Sequence, residues 1–407
     1  MKIVIATAVY YPMINGVAVF SHNLAVGLAK RGHEVLVLAP SQTKKNYTQI
    51  ENGVKVTYLK SIEAKVYPDQ IHSVPKKKRL LFKHGFKVSV FPGPEIKRAL
   101  DEFKPDIVHV QVSDPIGLSV VFYARKKHIP VVTTEHNQPE VLTEPLKLPF
   151  LVRKPVNALL YGYFRNRQSK SDFVTMPTKQ AINNLLKKHP IDAPIAAVSN
   201  GVDLSNFEPG KPNVKIYQKY GIPTNRPIVL YVGRVDPEKK IGTLIDAFYK
   251  VQTKVPDAFL VIVGDGVNKT KLEKHVKSLG LDNSVKFLGR VIPPDLYELY
   301  KIGWVFATAS EVETQGIVLI EAAATGLPLV AVDKGAVSEV CITNKNGFLC
   351  EPGNVSDISD ALEKILTDEN LRDKFSKNSI EIAKEHDFET TLDRFINIYR
   401  KLISRGE

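Results

Sequence analysis

The apolar residues of this chain are concentrated in short continuous runs, and this grouping most restricts how the chain can fold. Residues 3–9, 34–38, 228–232 and 259–264 form such runs, and a helical pattern follows the first and the third. A strand buried on both faces needs an unbroken apolar sequence, so the runs predict parallel strands covered by helices. We therefore expect an α/β fold in which each half begins a doubly wound sheet.

Both halves continue this alternation of strand and helix. Further apolar runs lie at residues 106–110, 130–134, 172–176, 285–289, 303–310 and 328–332. Open α/β sheets bind ligands at the carboxyl ends of their strands. We therefore expect two Rossmann-like domains that face each other across a ligand-binding cleft.

The length of the chain also favours two domains. At 407 residues it exceeds the size at which one hydrophobic core usually keeps growing. Residues 199–212 are dense in Asn, Gly and Pro and predict the linker. We expect one domain over residues 1–203 and a second domain over residues 204–385. The helix predicted over residues 386–407 should pack back on the first domain.

Charge and cysteine content limit the classes of partner and compartment. The net charge of +13 favours an anionic partner, and nucleic acid, acidic lipid and nucleotide phosphates all qualify. Cys341 and Cys350 lack metal-ligand spacing, which fits a reducing, cytoplasmic compartment. No apolar run reaches the roughly 18 residues that span a bilayer, so we expect a protein that is soluble or lies on a membrane surface.

Residues 310–330 carry the most informative pattern, a polar loop that leads into a helix between two carboxylates. Glu313 precedes the helix start and Glu321 lies about one turn into it. Amides at a helix start favour phosphate, and the carboxylates suit sugar hydroxyls. Alternatively, Glu313 is a helix-start acid and Glu321 an exposed helix residue. The residues whose amides we expect to bind the anion are Gly316, Ile317 and Val318.

A second polar cluster follows the run at residues 228–232. Arg234 lies at the predicted strand end, and Lys239 lies just before a helix. Two cations at this place suit a diphosphate, because Arg forks to its oxygens and Lys acts as a point charge. The alternative is a solvated helix start without a ligand.

Several segments together resemble the retaining glycosyltransferases of family four. They are SNGVD, GRVDPEKKIG, VGDG, ETQGIVLIEAAATGLPLV and NGFLCEPGN, and Glu313 and Glu321 match the E-x7-E signature of that family. The resemblance covers nearly the whole chain and implies the GT-B fold, with an acceptor-binding domain over residues 1–203 and a donor-binding domain, which takes the nucleotide sugar, over residues 204–385. Within the family, ETQG and the segment YPMINGVAVFSHNL are similar to the bacterial diacylglycerol glucosyltransferases.

The resemblance also implies roles for the donor-site residues. Arg234 and Lys239 would neutralise the departing diphosphate, although Lys240 stands where the family often has Gly, so both lysines stay candidates. Glu313 would bind the transferred sugar and Glu321 the ribose hydroxyls. No side chain is assigned as a covalent nucleophile.

Four further positions complete the implied site. Gly16 would let backbone amides approach the diphosphate, the main chain at Arg290 and Val291 would hold the base, and His136 would lie beside the transferred sugar. His109 reads as mainly structural. The sequence offers no Asp-x-Asp pair, so we expect no metal and no cofactor besides the nucleotide-sugar substrate.

A basic and apolar segment in the first half suggests where an acceptor binds. Residues 76–87 carry six Lys or Arg and no acid, and residues 145–170 repeat the mixture. Such a mixture suits the headgroup boundary of an anionic membrane, although a charged surface helix is the alternative. The residues expected at the membrane are Lys76, Lys77, Lys78, Arg79 and Phe82.

The expected function is transfer of a hexose, glucose from UDP-glucose, to a membrane lipid such as diacylglycerol, with formation of an α-glycoside. The protein would then be peripheral on the inner face of the cell membrane. Alternatives are a mannosyl- or other hexosyltransferase acting on phosphatidylinositol, a polyprenyl-linked glycan or a soluble sugar. A basic nucleic-acid-binding protein is the alternative outside enzymes, but no recognised nucleic-acid motif occurs, so we expect no nucleic-acid partner.

Overall fold

The structure is a computed structural model that describes residues 1–11, 13, 16–63, 87–111, 114–136, 152, 154–159, 162, 168–188, 190–313 and 315–405. The chain divides into two compact units. Unit 1 contains Met1–Asn200 and Thr391–Glu407, and unit 2 contains Gly201–Thr390. The sequence pattern places this division between residues 203 and 204.

Unit 1 is built on a sheet flanked by helices. Its described strands are β1 (Lys2–Ala6), β2 (Glu34–Pro40), β3 (Tyr47–Glu51), β4 (Val54–Leu59), β5 (Ser61–Glu63), β6 (Lys87–Ser89), β7 (Ile107–Val110), β8 (Val131–Thr134), β9 (Phe173–Met176) and β10 (Ile195–Ala197). Its described helices are α1 (Gly16–Lys30), α2 (Gly93–Phe103), α3 (Pro115–Lys126) and α4 (Lys179–Lys188).

The main sheet of unit 1 has the order β10-β9-β8-β7-β1-β2-β4-β3. Its strands pair in parallel except for the edge strand β3, which runs antiparallel to β4. The predicted strand at residues 3–9 is too long, because β1 ends at Ala6. The Thr7 hydroxyl donates to the Val9 carbonyl and accepts from its amide, and this local turn closes the strand.

Unit 2 repeats the architecture. Its strands are β11 (Ile228–Val232), β12 (Phe259–Val263), β13 (Val285–Gly289), β14 (Val305–Ala307), β15 (Leu329–Val332) and β16 (Gly347–Cys350). Its helices are α5 (Val214–Tyr220), α6 (Ile241–Lys254), α7 (Lys269–Ser278), α8 (Asp295–Lys301), α9 (Ile317–Ala324), α10 (Val355–Thr367) and α11 (Glu369–Lys384). Only three residues of the run at 303–310 form a strand.

The sheet of unit 2 has the order β13-β12-β11-β14-β15-β16 and is parallel throughout. Successive side chains of β11 point to the two faces of the sheet and belong to separate hydrophobic cores. Val229 and Tyr231 pack with α6 and α10, whereas Leu230 and Val232 pack with α9. Burial on both faces explains why the strands are continuously apolar.

The last helix, α12 (Phe388–Ile403), belongs to unit 1 from Thr391 onward. It buries an apolar stripe that includes Phe395, whose ring packs 6.0 Å from Phe20 of α1. The helix begins at residue 388, two residues later than the sequence suggests, and the packing of this stripe fixes it on unit 1.

Candidate functional site

The first part of the site lies where β11 ends in unit 2. The chain leaves the strand through Gly233, whose φ of +156° brings Arg234 to the carboxyl edge of the sheet. The Arg234 guanidinium donates to the Asp236 carboxylate and, at 2.5 Å, to Glu238 Oε1. Both acids occur within four residues of the arginine, so this exposed cation has its counterions close by.

Lys239 connects this loop to the loop after β14. Its Nζ lies 2.6 Å from Glu313 Oε1, and the two side chains are only 16% and 15% exposed. Lys240 has a left-handed φ of +49°, is exposed, and directly precedes α6. Of the two lysines, Lys239 is therefore the one that contacts a proposed sugar-binding carboxylate.

Gly316 forms the turn from the Glu313 loop into α9. Its φ is +72°, a conformation that favours glycine, and a Cβ atom there would lie 2.8 Å from Cδ1 of Leu319, a buried side chain that would have to shift. The helix then begins at Ile317, followed by Val318. Amides of a first helical turn and the helix dipole together favour an anion at this position.

Glu321 lies one turn into α9 and is half-buried. Burial raises the pKa of its carboxyl to about 7, and a hydrogen bond from Tyr300 opposes that rise. The Tyr300 hydroxyl donates to Glu321 Oε2 at 2.5 Å. Glu321 therefore titrates near neutral pH, and the reading of it as an exposed helix residue is wrong.

The ends of β11, β12 and β13 are held close together by glycine. A Cβ on Gly264 would lie 1.8 Å from the Gly233 carbonyl oxygen, and the Gly264 amide donates to the Gly289 carbonyl at 2.8 Å. Arg290 and Val291 follow directly, the first exposed and the second half-buried. The proposed base-binding main chain thus lies at the same sheet edge as Arg234.

Two predicted residues lie at the carboxyl edge of the sheet in unit 1. Gly16 begins α1 and is exposed, and a Cβ there would meet nothing within 4 Å. His136 follows β8 and is buried, and burial lowers its pKa to about 4. Its ring packs edge-on against Phe20 at 5.2 Å, and its Nε2 lies 2.8 Å from Gln111 Oε1.

The five residues predicted at a membrane, Lys76, Lys77, Lys78, Arg79 and Phe82, lie outside the described residues. Among the residues that are described, no three His, Cys, Asp or Glu side chains gather as a metal site. No helix in the same part of the chain has the length and apolarity needed to cross a membrane.

Both units match known protein families. The model of Glycosyltransferase Family 4 matches residues 14–206, and that of Glycosyl transferases group 1 matches residues 214–382. The chain belongs to the family-four glycosyltransferases. The predicted GT-B fold is confirmed by solved structures that cover the chain end to end. Sucrose-phosphate synthase from Thermosynechococcus elongatus aligns over 100% of both chains with a TM-score of 0.75 at 20% identity.

Two further relatives and one further solved structure are also similar to this chain. Alpha-monoglucosyldiacylglycerol synthase from Acholeplasma laidlawii is 29% identical over 86% of this glycosyltransferase and 84% of its own length. A GDP-mannose-dependent alpha-mannosyltransferase from Mycobacterium tuberculosis is 26% identical over 87% and 84%. Anabaena HepE, solved with UDP and glucose, aligns over 99% of this chain and all of its own, with a TM-score of 0.70 at 19% identity.

The structure also adds polar residues that the sequence analysis missed. Tyr300 contacts Glu321, Gln111 contacts His136, and Asp236 and Glu238 pair with Arg234. Only the two acids gave a signal in the sequence, through their closeness to Arg234. The other two contacts depend on packing between separate elements.

Proposed function

We propose that this glycosyltransferase transfers glucose from UDP-glucose to a membrane lipid, with diacylglycerol as the acceptor, and forms an α-glycoside with retention and without a metal ion. The donor half of the proposal rests on one observation above all: Lys239 and Glu313 lie in contact beside the helix start at Gly316. A sugar diphosphate needs a cation and an anion-binding turn for its phosphates, and a hydrogen-bond acceptor for its sugar hydroxyls.

The chemistry follows from these positions. Lys239 and Arg234 stabilise negative charge that develops on the departing diphosphate, and the first turn of α9 adds its amides to the same task. Glu313 accepts hydrogen bonds from the hexose, and Glu321 accepts them from the ribose when it is ionised. The two cations supply the positive charge that a metal ion supplies in other transferases.

The choice of glucose and diacylglycerol is supported by the Acholeplasma relative, which is named for that product and aligns over most of both chains. HepE, with UDP and glucose bound, supports a UDP donor. The mannosyltransferase relative supports a second candidate, transfer of mannose from GDP-mannose. The deciding experiment measures transfer from UDP-glucose and GDP-mannose to diacylglycerol, phosphatidylinositol and free glucose. Activity only with a soluble sugar acceptor contradicts the lipid proposal.

An exposed apolar surface in unit 1 supports a membrane acceptor. Phe91 is 90% exposed and has a φ of +54°, an unfavourable conformation for a bulky residue, so the fold gains little from this side chain. Phe122 is 77% exposed on α3, which packs against β6, the strand just before Phe91. Lys126 and Lys127 follow on the exposed end of the helix. Apolar and basic side chains side by side suit the boundary of an anionic bilayer.

Flotation with vesicles tests attachment to the inner face of the cell membrane. Wild-type protein should float with acidic phospholipid vesicles and less so in high salt. Phe91→Ser together with Phe122→Ser should weaken flotation, whereas Ile50→Ser, which alters a 79% exposed side chain on β3, should not. Replacing Lys76, Lys77, Lys78 and Arg79 should remove about 1 kcal/mol for each residue that reaches the lipid. Wild-type protein that stays unbound on acidic vesicles contradicts the membrane part.

A further inference from the structure

In unit 1, buried polar side chains form a hydrogen-bonded network that ends at His136. His109 of β7 is fully buried, and its Nδ1 lies 2.6 Å from the Tyr399 hydroxyl of α12. On the other side of the ring, its Nε2 lies 2.6 Å from Thr134 Oγ1 and 3.1 Å from Gln111 Nε2. Gln111 in turn presents its Oε1 to His136 Nε2 at 2.8 Å. The network therefore runs from the last helix to the candidate sugar-binding histidine.

With the Gln111 amide oriented as in the structure, its nitrogen toward His109 and its oxygen toward His136, the donors and acceptors of this network define the proton positions. The Gln111 amide nitrogen only donates, so His109 Nε2 must carry the lone pair that accepts from it. The proton of the neutral His109 ring then lies on Nδ1 and is donated to the Tyr399 hydroxyl. The Thr134 hydroxyl donates to His109 Nε2 and accepts from the Thr175 hydroxyl, 2.6 Å away.

The same logic fixes the state of His136. The Gln111 Oε1 atom only accepts, so His136 Nε2 carries the proton that it donates. Burial lowers the pKa of His136 to about 4, so the ring is neutral at physiological pH and its Nδ1 keeps a lone pair. Phe20 packs edge-on against the ring and limits its rotation.

We propose that Gln111, His109 and Tyr399 are positioning residues that hold His136 as the Nε2–H tautomer, so that its Nδ1 accepts a hydrogen bond from a hydroxyl of the transferred hexose. This inference rests on the proposed function and on the family resemblance, which implies that His136 lies beside that sugar. The Gln111 amide bonds to both rings, so its orientation links the tautomer of His109 to that of His136. The C-terminal helix thereby contributes to the site through Tyr399 without touching substrate.

Energetics favour this role over a purely packing role for the network. A buried polar group costs free energy unless its partners are in place, and an apolar pair of the same shape is often equally stable. The six polar side chains of this network give the core no stability that apolar residues could not supply. What apolar residues could not supply is a defined proton position on His136.

The test compares the tautomer of His136 with turnover in matched variants. Histidine 15N spectra of the full chain report which ring nitrogen is protonated, and His136→Gln identifies the signals of His136. Gln111→Leu removes the acceptor of the His136 proton. Thr133→Val is the control, since Thr133 is equally buried on β8 but bonds to Ser171 at 2.7 Å.

We expect wild-type His136 to show a protonated Nε2 and an unprotonated Nδ1. Gln111→Leu should lose this signature and lower kcat about 10–100-fold while the donor KM stays within about threefold, as for partners that orient a reactive side chain. Thr133→Val should change neither measurement. Gln111→Leu that keeps the wild-type signature, or loses it with unchanged kcat, overturns the inference.

A second variant covers the case in which Gln111→Leu does not fold. Tyr399→Phe keeps the ring that packs beside His109 and Phe395 and removes only the hydroxyl. Without this hydroxyl, the proton of His109 is no longer held on Nδ1. We expect kcat to fall about fivefold, which corresponds to the free energy of one hydrogen bond. Unchanged His109 and His136 spectra in this variant contradict the network. The spectra need no substrate, so a wild-type protein with the expected tautomer that transfers no glucose to diacylglycerol contradicts the proposed function alone.

Discussion

Removing the Tyr300 hydroxyl should shift the pH dependence of donor binding to higher pH. Burial raises the pKa of Glu321 from its ordinary value of 4.5 to about 7, and the hydrogen bond from Tyr300 limits that rise by stabilising the carboxylate. Under the proposed function, the ribose hydroxyls of the donor bind the ionised form more strongly, because a carboxylate is a stronger acceptor than a neutral carboxyl. Donor affinity should therefore increase as pH rises through 7 and decrease by up to about tenfold per pH unit below it.

The size of the shift follows from the hydrogen bond. A hydrogen bond to a charged group contributes about 1.5–3 kcal/mol, and one pKa unit corresponds to about 1.4 kcal/mol. Glu321 is only half-buried, so solvent screens part of this energy, and we expect a shift of about one unit. Tyr300→Phe is a clean perturbation, because the ring stays between Phe207 and Phe306, 5.5 and 6.3 Å away.

Calorimetric titration with UDP-glucose between about pH 6 and 9 measures the effect, since both the affinity and its pH midpoint come from one series. Wild type should show a midpoint near pH 7 and Tyr300→Phe one about a unit higher. Glu321→Gln is the control and should bind more weakly with no midpoint in this range. Equal midpoints in wild type and Tyr300→Phe, or an unchanged midpoint in Glu321→Gln, would refute the reasoning.

Four further outcomes are expected. Glu313→Ala and Lys239→Ala should each lower transfer at least about 100-fold while the protein stays folded with a lowered melting temperature, since each change leaves a shielded charge without its partner, and near-normal turnover would remove that residue from the site. Transfer should survive a strong chelator; a complete loss that added metal reverses would contradict metal independence. Gly316→Ala should destabilise unit 2 by about 1–3 kcal/mol in denaturant unfolding, because its Cβ meets Leu319 and its φ is positive; wild-type stability would contradict this. The protonated Glu321 carboxyl stabilises the fold below pH 4.5, and this contribution is lost as pH rises through 7. In melting experiments, Glu321→Gln should therefore gain stability relative to wild type above pH 7. Parallel curves of melting temperature against pH for the two proteins would contradict this.

The sequence predicted the parts of the structure that depend on local pattern. Continuous apolar runs predicted most strands, since burial on both faces leaves no polar positions in a parallel strand. Gly316 and the segment after it predicted the turn into α9, because left-handed backbone and a helix start both have residue preferences. The candidate donor-site residues Arg234, Lys239, Glu313 and Gly316 accordingly come together at one sheet edge.

The contacts that the sequence did not predict join residues that packing alone brings together. Tyr300 belongs to no motif, and it meets Glu321 only because α8 and α9 cover the same face of the sheet. Tyr399 lies 290 residues from His109, and the docking of α12 on unit 1 decides that contact. Periodicity assigns a residue to a buried face, but the partner on that face depends on the crossing of two elements.

The ion pairs of unit 2 differ in how readily a diphosphate can replace the carboxylates. Arg234 is 55% exposed, and pairs of this kind contribute at most about 1 kcal/mol, so a phosphate can take the place of Asp236 and Glu238 at small cost. Lys239 and Glu313 are shielded from solvent, and removing one charge there would leave the other without its partner. A donor that kept the Lys239–Glu313 contact while it engaged Arg234 would meet both requirements. Under the proposed function, Arg234 would adapt to the diphosphate, whereas Lys239 and Glu313 would form the fixed part of the site.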